Sequence, residues 1–150
     1  MIHVKRETKL PDEFNLIRIR RIASEVFSLR EFSGDVSLIF TNNQTIQDLN
    51  REYRNIDSIT DVLSFPSEEI DPETGMRYLG DVIISTEKAY QQSLHASKPY
   101  ADELTMLIVH GCLHLTGLDH ATENEKQNMK THQEYLLQKL GVENHSWPED

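Results

Sequence analysis

Three histidines, His110, His114 and His120, carry the clearest chemical signal in this 150-residue sequence. The first two are spaced i and i+4, so a helix sets their side chains on one face, about 5–6 Å apart. Two imidazoles at that separation can share one metal ion. The third is six residues further on, beyond the reach of a continuing helix face, but Gly117 intervenes. A glycine in the left-handed conformation ends a helix and folds the chain back, and His120 can then bring a third nitrogen to the same point. The helix around the pair is apolar nearly all round, with Leu104, Leu107, Ile108 and Leu115 on one side and Val109 and Leu113 on the other. Such a helix is buried, and each imidazole left unpaired there costs about 1–3 kcal/mol. A shared cation satisfies them together. Three neutral imidazoles leave a divalent ion its full charge and a fourth tetrahedral position for water or substrate, the pattern of catalytic zinc. Nickel or copper would also suit, and cellular availability favours zinc.

The neighbours have plainer readings. Cys112 points away from His110 around the helix and reads as a small core residue. Asp119 is either a turn residue or a carboxylate that orients an imidazole. His3, His95, His132 and His145 have no such company and read as surface residues.

The elements that must position the triad follow from pattern. Ile2–Lys5 reads as a strand, residues 13–30 as an amphipathic helix, and Val36–Phe40 as a second strand after Gly34-Asp35. Thr41 or Asn42 caps a helix with Ile46, Leu49 and Tyr53 on one face. Asp61–Phe65 and Tyr78–Ser85 read as strands around a turn at Asp71–Gly75. Helices follow at 86–97 and 100–116, and a last one opens on the capping box Thr122/Glu125 and stops at Gly141. This is not a regular βαβ alternation. It predicts an α+β fold, one domain over residues 1–150, with a small mixed four-stranded sheet packed by about five helices. The tail 144–150 reads as loosely ordered, with Trp147 able to pin it to the surface.

Composition sets the boundaries. A chain of this mass buries roughly 70% of its unfolded surface, enough for a core without staples. One cysteine excludes an intrachain disulfide framework and fits a reducing compartment. No apolar run approaches the ~20 residues of a membrane span, and the start lacks a secretory signal, so a cytoplasmic, membrane-free protein is expected. Fifteen basic against 25 acidic residues leave a net charge of −10, which opposes generic polyanion binding. Residues 1–30 run the other way, with seven basic and four acidic side chains. Lys5, Arg6 and Arg18–Arg21 form either an RNA-facing patch or a solvated helix face.

The spacing H-x3-H-x2-G-x2-H is also that of metzincin proteases. Those enzymes need Glu after the first His as general base, and here Gly111 stands in its place. The fuller string His110-Gly111-Cys112-Leu113-His114-Leu115-Thr116-Gly117-Leu118-Asp119-His120 resembles instead the H-G-x-L-H-L-x-G-x-D-H motif of the YbeY family of bacterial endoribonucleases. Asn50–Pro66 and Leu79–Ser85 are similar to two further blocks of that family, in family order. Leu118, where the family often has Tyr, is the one softening, and it is expected to touch no ligand.

The resemblance implies a zinc-dependent endoribonuclease acting on single-stranded RNA, in small-subunit ribosomal RNA maturation and ribosome quality control. It carries His110, His114 and His120 over as ligands of one zinc ion, and places the family's functionally important arginine at Arg54. A guanidinium matches two phosphate oxygens and stabilises charge that builds during phosphodiester cleavage; the plainer alternative is a loop salt bridge from Arg54 to Asp57 or Asp61. The nucleophile is either a cation-activated water or the RNA 2′-OH. Two other classes compete: a metallopeptidase with its base supplied from elsewhere, and a non-enzymatic ribosome-biogenesis factor stabilised by its metal. The charge of −10 is the best argument for the last of these; docking on a ribosomal protein or a ribosome-associated GTPase would answer it for an enzyme.

Overall fold

The computed structural model describes residues 1–143 and 146–150; the expectation for His145 falls outside them. In chain order the elements are β1 (Ile2–Arg6), α1 (Leu16–Arg30), β2 (Asp35–Thr41), α2 (Asn43–Arg54), β3 (Val62–Pro66), β4 (Tyr78–Ser85), α3 (Thr86–His95), α4 (Tyr100–Leu115) and α5 (Glu123–Lys139). The sheet order is β1-β2-β4-β3, with β1, β2 and β4 parallel and β3 antiparallel on the edge beside β4. This is the small mixed α+β sheet with five helices that the sequence pattern predicts.

Side chains on a strand alternate between faces, so each strand serves two layers. Val36, Leu38 and Phe40 of β2, Val62 of β3, and Val82 and Ile84 of β4 join the main core with α1, α4 and α5. Leu63 and Ile83 belong to a smaller cluster with Ile46, and Ile39 and Leu49 pack against it, which seats α2 on the opposite face. α4 is the central helix: from Glu103 to Leu115 every residue but His114 is buried. Gly111 lets it lie close on the sheet, because a Cβ there would meet Val82 Cγ1 at 2.5 Å and Ser64 Oγ at 3.2 Å. In that contact the Ser64 hydroxyl donates to the Gly111 carbonyl at 3.0 Å.

The boundaries move where local chemistry outweighs periodicity. α1 starts at Leu16 because Asn15 caps it, accepting from the Arg18 amide. Asn42 is the cap of α2. Tyr53, expected on the buried face of α2, is instead exposed and stands edge-on to Phe65. α5 carries the expected capping box at Thr122/Glu125.

Candidate metal centre

α4 ends as anticipated, and the manner of its ending builds the site. Gly117 has φ +96°, the Gly117 amide donates to the His114 carbonyl, and the Leu118 amide donates to the Leu113 carbonyl. This paired 5→2 and 6→1 pattern is a Schellman cap. It swings residues 118–120 back over the last turn. His110 and His114 then meet His120 with ring centroids 4.8, 5.5 and 5.0 Å apart, pair by pair.

The tautomers decide what those rings can do. His110 Nδ1 donates to Gln133 Oε1 on α5 at 2.8 Å, and His114 Nδ1 donates to the Leu118 carbonyl at 2.9 Å. Each Nδ1 therefore holds its ring's proton, and each Nε2 presents a lone pair. Yet the two Nε2 atoms face each other at 3.2 Å. Tetrahedral ligands of zinc, each about 2.0–2.1 Å from the ion, stand about 3.3 Å apart. Two converging lone pairs at that spacing repel unless a cation sits between them. An outer partner that fixes the tautomer is also what metal-ligating histidines ordinarily have.

A fourth donor completes the group. The Asp150 carboxylate comes within 2.9 Å of His110 Nε2, 3.1 Å of His114 Nε2 and 3.3 Å of His120 Nε2. The four donor atoms all lie within 4.8 Å of one another. The site is graded from inside to outside: side-chain exposure is 0% for His110, 14% for His114 and 21% for His120. The last two line a cleft of about 490 Å³.

Arg54 lines the same cleft from the end of α2. It donates to the Ser64 carbonyl at 2.6 Å and lies over the Phe65 ring. It pairs with neither Asp57 nor Asp61. Asp57 is held by Arg51 and Gln47, while buried Asp61 accepts from Gln92 and the Glu149 amide. Among the described residues Arg54 makes no ion pair. Asp119 takes the turn role: its carboxylate accepts the His120 amide at 2.8 Å and stays 3.9 Å from His114 Nδ1. Leu118 does touch a ligand, through its backbone carbonyl, for which the side-chain type is immaterial. Lys5, Arg6 and Arg18–Arg21 do not line the cleft. Cys112 is fully buried, and that burial pushes its thiol up, as befits a core residue.

With this geometry in view, comparison with known proteins is specific. The family model described as Endoribonuclease YbeY matches residues 3–141. The chain belongs to the YbeY endoribonuclease family. A YbeY endoribonuclease of Listeria innocua is 42% identical, with 89% of this chain and 91% of that protein covered. One from Lachnoclostridium phytofermentans is 32% identical over 93% of this chain and 96% of its own length. A solution structure of a Thermotoga maritima protein superposes with a TM-score of 0.61 at 23% identity, covering 100% of this chain and 99% of that one, which shows a shared fold. The YbeY match stops at residue 141, so Asp150 lies outside it.

Sequence reasoning missed two residues here, the acceptor Gln133 and the carboxylate Asp150. Gln133 had a readable signal, a polar residue among Met129, Leu136 and Leu137 on the buried stripe of α5. Asp150 had none, because only the fold brings the tail to the end of α4.

Proposed function

We propose that this protein is a metal-dependent endoribonuclease that cleaves single-stranded RNA, with His110, His114 and His120 holding one zinc ion and Arg54 binding the scissile phosphate. The observation that carries the reading is the pair of Nε2 lone pairs converging at 3.2 Å, with both Nδ1 protons committed to Gln133 and Leu118. A divalent ion bound there supplies Lewis-acid polarisation of a phosphate oxygen or activation of water. His110, buried and tied to α5, fixes the site against the core, while His114 and His120 present it to the cleft. Arg54 adds a guanidinium without a carboxylate partner among the described residues, which can neutralise a phosphate oxygen as charge builds on it. The Ser64 hydroxyl and carbonyl link this guanidinium to the backbone of α4 at Gly111. The process proposed is maturation of small-subunit ribosomal RNA and ribosome quality control in the bacterial cytoplasm, with docking through a ribosomal protein or ribosome-associated GTPase. No helix among the described residues is long and apolar enough to cross a membrane.

Gly111 argues against a metallopeptidase. A glutamate base at this position would have to put its Cβ 2.5 Å from Val82 Cγ1. The test is elemental analysis of the purified protein together with RNA cleavage by wild type, His114→Ala and Arg54→Ala. One zinc per chain and cleavage lost in both variants are expected; zinc-loaded wild type that leaves single-stranded RNA intact overturns the reading and leaves the biogenesis-factor role. A 2′,3′-cyclic phosphate on the product excludes direct attack by water.

A further inference from the structure

Asp150 lies where a substrate phosphate would have to go. We infer that residues Trp147–Asp150 form a displaceable strap whose Asp150 carboxylate takes the fourth position at the cation and is exchanged for a phosphate of single-stranded RNA. This rests on the metal-dependent reading above and extends it to a segment beyond the family match.

Three residues hold the strap. Asp150 reaches all three histidines through its carboxylate oxygens. The Glu149 amide donates to buried Asp61 Oδ2 at 2.9 Å, and the Glu149 carboxylate pairs with Lys88 at 3.3 Å. The Trp147 ring stands edge-on to His110 and His120, with centroids 4.9 and 5.5 Å away, and Lys126 lies over its face. Trp147 is half-buried and packs against the edge of the main core, whereas Val142 is buried within it.

Charge explains why the strap must move. The charged residues that line the cleft are Arg54, Asp119, Glu149 and Asp150, a net of −2. A dication brings the cleft only to neutrality, which gives a polyanion no attraction. Removing Glu149 and Asp150 leaves the loaded cleft at +2. The same carboxylate that strengthens metal binding therefore opposes RNA binding, and the two effects have opposite signs in one variant.

The experiment uses the full chain, wild type and Asp150→Asn. Zinc affinity is read by chelator competition, and RNA affinity by anisotropy of a labelled single-stranded 2′-O-methyl oligouridine on zinc-loaded protein. Removing the carboxylate should weaken zinc binding at least about tenfold, since loss of even an outer partner of a metal ligand costs about 10–100-fold. It should tighten oligouridine binding about tenfold, as expected when the competent state no longer has to be freed from an intramolecular competitor. Trp147, the chain's single tryptophan, reports strap release directly: its emission should change when oligouridine saturates the wild type, and the change should be much smaller in Asp150→Asn. A merely structural tail predicts that both affinities fall together, and that result overturns the strap. So does a variant indistinguishable from a wild type that binds both zinc and oligouridine, a result that leaves the nuclease reading standing. Wild type that takes up neither zinc nor oligouridine overturns both.

Discussion

At its N-terminal end α4 buries Glu103 against Lys98, with side chains 1% and 4% exposed and 2.5 Å between nitrogen and oxygen. At its C-terminal end it buries His110 and half-buries His114, facing a third imidazole and a carboxylate. One helix thus carries two polar clusters at comparable depth, and they close differently. Burial pushes the Glu103 carboxyl up, Lys98 partly offsets the push, and the first-turn position adds favourable helix-dipole interaction. That cluster is complete: one cation, one anion. The other gathers the Nε2 lone pairs of His110 and His114, the His120 ring and a carboxylate around one point. Depth and titratability do not separate a structural cluster from a functional one; what separates them is whether the charges and protons balance within the protein. The difference can be broken or sharpened by substitution at each end.

The largest effect is expected at the closed end. Lys98→Met leaves Glu103 as an uncompensated buried carboxylate, which should cost about 3–5 kcal/mol in urea unfolding. Zinc content of the folded protein should stay at the wild-type level; a loss of zinc would mean that the two ends are coupled and the contrast fails. At the open end, Arg54→Ala should do the reverse. Cleavage should fall about 10²–10³-fold, the usual loss on removing one preorganised transition-state donor. The urea midpoint should hold, since Arg54 is exposed and its hydrogen bond goes to a single carbonyl. An equal drop in stability would recast Arg54 as a clamp on β3.

A smaller change sharpens the argument about tautomers. Gln133→Leu removes the acceptor that holds the His110 proton on Nδ1. Zinc affinity should fall about 10–100-fold, measured by chelator competition, with the Lys98–Glu103 pair untouched. Unchanged affinity would show that the ring needs no outside partner to face the ion.

The triad was legible because its information is local. The i, i+4 spacing and a helix-ending glycine specify where three rings go, whatever surrounds them, and Gly117 adopts the conformation that spacing required. The sheet was legible for a similar reason: Tyr78–Ser85 holds the apolar run Val82-Ile83-Ile84, and β4 occupies those residues as read. What stayed hidden depends on distant contacts. Asp61 and Glu149 are 88 residues apart, and Asp150 is 40 from His110; nothing in either segment announces the other. The Arg54 alternatives failed on the same ground, because Asp57 and Asp61 find other partners once α2, α3 and the tail are in place. Tyr53 was misplaced because helical periodicity marks a face without telling how far the underlying sheet extends.

The smallest expected effect probes the carboxylate between the two ends, Asp61, which is fully buried at the foot of the strap. Desolvation pushes its carboxyl up; the Glu149 amide and Gln92 pull it back, Asp150 and Glu149 push again, and the net shift is upward. A carboxyl raised in the folded state binds its proton more tightly there than in the unfolded chain. Its contribution to stability is thus complete below the ordinary carboxylate range and is lost as pH rises through the elevated value. Asp61→Asn removes that titration while keeping an oxygen for the Glu149 amide and for Gln92 Nε2. Melting temperatures of wild type and variant should therefore diverge as pH rises from the ordinary carboxylate value toward neutrality, with the variant gaining. If the two curves stay parallel, Asp61 has an ordinary pKa, and the foot of the strap is wetter than its burial indicates.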